Sequence, residues 1–271
     1  MKIFIQFMKR ILVITILLAG IFTSCKKETA SDFNSDVKAE LSVEFDNIGG
    51  SSDLKLNTGT YTNATGENFT VTKLKYYVSN FILTKTDGTQ FKVPQDSCYF
   101  LIDESDETTH EPVLNVPEGE YKTLSFTLGI DSVRNTMDIS RRTGVLDPTA
   151  EGGDMYWGWN SGYIFFKMEG TSAASTEAGH IFMYHIGGFG GYSSATLNNI
   201  KTIALDLAAR GTPKVKSGKE TNIHLMVDIA QMFSGSATVS IAQHPMVMFD
   251  PFSSGIANNL TGIFRHDHTE N

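Results

Sequence analysis

The chain has 271 residues, 41% of them apolar, a formal charge of −8 and two cysteines. That length supports one large domain or two small ones, and two cysteines exclude a disulfide framework. The acidic balance argues against nucleic acid and anionic lipid as partners, which attract lysine and arginine, and it is compatible with cations.

Lys2, Lys9 and Arg10 flank or precede a predominantly apolar run over residues 11–22. The run is short for a bilayer span, which takes roughly 20 apolar residues, and reads as a secretory leader. It ends in Phe22, Thr23, Ser24 and Cys25. This resembles the lipobox of bacterial lipoproteins, with Phe22 where leucine is usual. On that reading residues 1–24 are a signal peptide and Cys25 is acylated. Each buried lipid methylene contributes about 0.8 kcal/mol, so a multiply acylated cysteine anchors stably to a membrane. Loss of Lys2, Lys9 and Arg10 takes the charge to −11. Residues 25–39 are a polar, flexible tether. Lys26, Lys27 and Glu28 resemble surface-export signals of Bacteroidetes lipoproteins. Residues 40–271 show no composition break and read as a single domain. The expected location is the cell envelope: an outer-membrane lipoprotein facing the periplasm or the cell surface.

The domain reads as all-β. Leu41, Val43 and Phe45 alternate with polar residues, as in a half-buried strand. Residues 69–84 are β-branched and aromatic, and Asp87-Gly88 is a hairpin signal that returns the chain over 91–93. Residues 98–102 form a short apolar strand, with Cys98 buried as a small hydrophobe. A turn at 117–119 leads into the alternating stretch 121–130. Residues 162–169 and 180–186 read as a hairpin, followed by strands over 200–207 and 221–229 and a last strand starting at 239–242. Single helical turns are expected over 131–139 and 229–233, and a short helix over 251–264. Many short strands with glycine-rich turns suggest an antiparallel β-sandwich of Greek-key type with few short helices.

The most informative stretch is 155–170, MYWGWNSGYIFFKMEG, which holds both tryptophans. In an extended chain Trp157 and Trp159 share a face, and Met155 shares it too. The rings either fill a core or remain open to bind a ligand or be modified. Hydrolase elbows, phosphate loops, dinucleotide fingerprints and zinc-protease helices are missing from the sequence. Asp131, Asp138 and Asp147 lack calcium-loop spacing and suit capping and turns. Histidine and methionine recur two apart: Met183 and His185, His224 and Met226, His244 with Met246 and Met248. On strands each set projects from one face. Imidazole and thioether suit Cu(I), and imidazole suits Cu(II). Each residue taken alone also fits a structural role, histidine hydrogen-bonded and methionine filling core gaps. His266, Asp267 and His268 read as a frayed tail that catches metals adventitiously.

The stretches 128–135, 155–170 and 182–187 and the tract from His244 resemble the MbnP-like domain family, over roughly residues 41–264. The resemblance implies an all-β fold and a non-catalytic, secreted copper-binding protein. It also implies a partner di-haem, peroxidase-like enzyme that oxidises a tryptophan to kynurenine, which binds copper with two histidines. Trp157 or Trp159 is then the oxidised residue and His185 a candidate ligand, with His224, His244 and Met246 added from strand-face reasoning. An unmodified indole offers only an N–H donor, so a copper site at the tryptophan requires the modification first. The competing expectation is a non-metal binding module for a sugar, peptide or protein, with Trp157, Trp159, Tyr163 and Tyr192 as an aromatic platform.

Overall fold

The computed structural model describes residues 33–150, 153–160 and 162–271. The expected leader, the Cys25 lipidation site and residues 25–32 of the expected tether lie outside the described residues, whereas the end of that tether is part of the fold: Asn34 N–H donates to Glu118, and a strand starts at Lys38 and buries Ala39. Residues 34–271 form one compact unit.

In chain order the strands are β1 (Lys38–Gly49), β2 (Ser52–Asp53), β3 (Tyr61–Thr62), β4 (Asn68–Lys85), β5 (Gln90–Lys92), β6 (Tyr99–Asp103), β7 (Val113–Pro117) and β8 (Gly119–Leu128). They continue with β9 (Tyr156–Trp157), β10 (Gly162–Thr171), β11 (Ile181–Gly187), β12 (Lys201–Asp206), β13 (Lys214–Val215), β14 (Asn222–Asp228), β15 (Met246–Val247) and β16 (Phe264–Glu270). Among the described residues two short α-helices, α1 (Ser132–Thr136) and α2 (Phe252–Asn259), interrupt them. The smaller sheet has the order β16-β14-β1-β2, with β7 on β1. The larger has the order β12-β8-β4-β10-β11-β15, with the short strands on its flanks.

The two sheets enclose one core. Leu41, Val43 and Phe45 of β1 and Ile223, Leu225 and Val227 of β14 are fully buried, as their alternation requires. They meet rings from the larger sheet: Phe45 packs edge-on against Tyr76 at 6.2 Å and Phe126 at 5.6 Å, and Phe126 meets Phe264 at 5.3 Å. A second apolar cluster includes Tyr77, Ile130, Met155, Trp157, Tyr163 and Phe165. In β4 and β10 these residues alternate with the main core, so the cluster lies on the outer face of the larger sheet. Residues from the connection between β8 and β10 contribute to it.

Most pairings are antiparallel, but β1–β14 and β11–β15 are parallel. The Asp87-Gly88 hairpin forms, with β5 returning on β4. Asp131, Asp138 and Asp147 accept from the amides of Arg134, Ser140 and Thr149, so they cap and turn. Cys98 is buried. Two expectations about local chain conformation fail. Residues 239–242 are not a strand: Val239 and Ile241 enter the core from a loop, and the Glu67 carboxylate, not a neighbouring strand, takes the amides of Ile241 and Ala242. The C-terminal residues are not frayed: β16 pairs along β14.

Candidate functional site

Trp157 closes β9, which pairs with Gly162 and Tyr163 of β10. Its ring lies on the backbone of Gly187 at the end of β11, where a Cβ would stand 2.8 Å from Trp157 Cζ3. Trp159 is 5.4 Å away and Phe249 6.0 Å. Trp157 is 4% exposed and its Nε1–H is buried with no hydrogen-bond partner. Trp159 is 66% exposed. The core-filling reading therefore holds for Trp157, whereas Trp159 stays open. Beside them Asn160, Phe189, Gly191, Tyr192, Thr196 and Phe249 line a cleft of about 430 Å³, and Tyr192 is 78% exposed at its rim. Tyr163, expected on this platform, is instead fully buried, its hydroxyl donating to Leu146 O.

His185 sits mid-β11, opposite Lys167 of β10. Its Nε2 is 2.8 Å from Glu169 Oε1. Burial pushes the imidazole below its usual range, more than the Glu169 carboxylate raises it. Lys167, also buried, donates to Asp154 Oδ1 at 2.8 Å and to the Asp154 carbonyl. Burial raises the Asp154 carboxyl, but Lys167 and Lys73 outweigh it and bring it to about 2. Phe182, Tyr184 and Ile186 of β11 face the core, so Met183, His185 and Gly187 share the outer face. Val247 of β15 also faces the core, and Met246 is the parallel partner of Met183. The fold thus gathers Met183, His185 and Met246 on one outer face.

His224 belongs to the other sheet. On β14 it is the cross-strand partner of His268 on β16, and the two rings stack at 4.7 Å and 27°. Its Nδ1 is 3.8 Å from Asp267 Oδ2, while its Nε2 is 3.6 Å from Asp46 Oδ2 and 3.8 Å from Glu44 Oε1. His268 Nδ1 is 3.0 Å from Asp267 Oδ2. His244 lies in the loop before β15, its ring flat on Phe252 at 3.8 Å. Met246 is 37% exposed.

The candidates chosen from the sequence do not form one centre. His185 and His224 are on different sheets, His244 is stacked on Phe252, and the ring neighbours of Trp157 are Trp159 and Phe249, neither an imidazole. Sequence reasoning undervalued Asp267 and His268, because a His-Asp-His stretch near a terminus looks like a tail until a strand pairs with it. It missed Glu169, Lys167 and Asp154, whose only sequence signal is charge inside an apolar strand pattern.

An all-β sandwich with imidazole, carboxylate and thioether donors on its outer faces defines the class. The MbnP family model matches residues 38–249, and the chain belongs to that family. A solved structure, MbnP from Methylosinus trichosporium, superposes with a TM-score of 0.54 at 14% identity, over 79% of this chain and 82% of that one, and supports the fold. No curated relative matches by sequence.

Proposed function

We propose that this chain is an extracytoplasmic metal-binding lipoprotein, held to the membrane through Cys25, that takes up or stores copper and does not catalyse. Membership of the MbnP family supports a metal-related role. The observation that carries copper is the row of Met183, His185 and Met246 on one outer face. Two thioethers and an imidazole are the soft donors that Cu(I) selects. A centre built from a modified tryptophan and two imidazoles does not fit these residues. Trp157 is packed on Gly187, Trp159 and Phe249, and among the described residues the strands of its sheet carry one imidazole, His185, where that centre needs two. Trp159, the exposed ring, is the one an oxidising partner meets first.

The test is a Cu(I) competition titration against a chromophoric chelator, on protein made with and without a di-haem partner enzyme, alongside its intact mass. The unmodified protein binds Cu(I), and the paired Met183→Leu and Met246→Leu changes weaken it about ten-fold or more. Absence of specific binding at sub-micromolar metal in both preparations ends the proposal.

A second reading has its own observation: Trp159 and Tyr192 are open beside the 430 Å³ cleft, as in a module that stacks a sugar ring or holds a peptide. Quenching of tryptophan emission by a glycan or peptide, abolished by Trp159→Ala, would favour it.

A further inference from the structure

We propose a second metal site, for a borderline divalent ion such as Zn²⁺ or Cu²⁺, made by His224, Asp267 and His268 between β14 and β16. It uses other donors on another sheet and does not rest on the copper reading.

Three features of the fold build it. The first is a bulge. Along the β14–β16 ladder His224 pairs with His268 and Leu225 with His266, so Asp267 is the extra residue. Phe264 and His266 face inward and Arg265 and Asp267 outward. The bulge then turns His268 outward as well, so Asp267 and His268 lie on one face with His224. Without it, the period of two would put Asp267 and His268 on opposite faces. One ligand atom from each of the three residues lies within 4.8 Å of the others. Metal–ligand bonds of about 2.0–2.2 Å require only small side-chain rotations to close around an ion from there.

The second feature is the state of His224. Its Nδ1, the nitrogen toward Asp267, is buried with no hydrogen-bond partner. A buried imidazole nitrogen without a partner is costly, and a metal ion supplies one. Its other nitrogen faces Asp46 and Glu44 of β1. At 3.6 and 3.8 Å these carboxylates are placed to complete a carboxylate–histidine–metal order once the ring turns toward an ion. The third feature is access. Glu44, beside His224, and Glu270, 3.6 Å from His268 Nε2, both line a solvent-open cavity of about 410 Å³. Glu40, Glu111 and Glu220 line the same cavity, with Lys219, so its predominantly acidic field draws cations toward the neighbouring donors.

Two imidazoles and a carboxylate suit first-row divalent ions, with affinity rising toward Cu²⁺. The set combines strands that are distant in sequence, and Asp267 and His268 lie beyond the residues matched by the family model.

The experiment is a Zn²⁺ titration of the purified full chain by chelator competition, with His268→Ala, Asp267→Asn and His185→Ala variants and X-ray absorption of the Zn²⁺-loaded wild type. The wild type binds one Zn²⁺ with imidazole scattering in its spectrum. His268→Ala and Asp267→Asn each weaken binding about ten-fold or more, and His185→Ala leaves it unchanged. His268 is half-exposed at 47%, so its truncation leaves the core intact. Equal affinity in wild type and His268→Ala, a Zn²⁺ spectrum without imidazole, or no Zn²⁺ binding by the wild type overturns the site. Cu(I) binding lost in the methionine variants but kept in His268→Ala separates it from the copper reading.

Discussion

Glu67 shows how one carboxylate replaces a strand. It accepts from Ile241 N at 2.7 Å, Ala242 N at 3.0 Å and Ser240 Oγ at 2.8 Å, and from Asn63 Nδ2 at 2.6 Å. Burial pushes its pKa up, but the hydrogen bonds from Ala242, Asn63, Ile241 and Thr65 win and bring it from 4.5 to about 2. A depressed carboxyl pKa stabilises the fold above its unfolded value and ceases to do so as pH falls through the folded one. Glu67→Gln should cost about 1–3 kcal/mol near neutral pH. In urea denaturation the gap between variant and wild type should close between pH 4.5 and about 2. The two tryptophans separate in the same assay. Trp157→Ala empties a buried site and should cost about 3–5 kcal/mol, whereas Trp159→Ala should stay within about 0.5 kcal/mol.

At the scale of elements, close approach of chains fixes what the strands tolerate. At Gly187 a Cβ would stand 2.4 Å from Tyr163 O and 2.8 Å from the Trp157 ring. Gly187→Ala must push β10 or the indole away, and should cost about 1–3 kcal/mol and shift the buried tryptophan emission to the red. The C-terminal strand covers one edge of β14 while β1 holds the other. Deleting residues 264–271 removes Phe264 from between Phe45, Tyr76 and Phe126. It also exposes a bare ladder edge, which templates association. The truncated protein should unfold at lower urea and run as oligomers in size-exclusion chromatography. Bulges matter equally. Asn80, at φ 52, breaks the β4–β8 register between Ser79 and Ile82 and donates to Asp131, the cap of α1. Neither this bulge nor the one at Asp267 has a sequence signature comparable to Asp87-Gly88, because asparagine and aspartate are common in ordinary turns as well.

For the whole molecule, the sandwich presents different donors on different sheets: thioethers and an imidazole at β11 and β15, imidazoles and a carboxylate at β14 and β16. The all-β class, most strand positions, the hairpin at Asp87-Gly88 and the MbnP resemblance were legible in the sequence. Alternation is local, and burial of one face of a strand writes itself residue by residue, as in Leu41, Val43 and Phe45. The failures have one cause. Val239 and Ile241 are as apolar as a strand but enter the core from a loop held by Glu67, 174 residues from Ile241. His185, His224 and His244 carry similar His/Met spacing yet end on β11, on β14 and against Phe252. The sequence by itself determined the inward alternation of regular strands such as β1 and β14 and which donor chemistry the chain carries. Only the tertiary structure decided which donors meet, because that depends on parallel pairing, strand order and a one-residue bulge, and those are set by contacts between segments far apart in the chain.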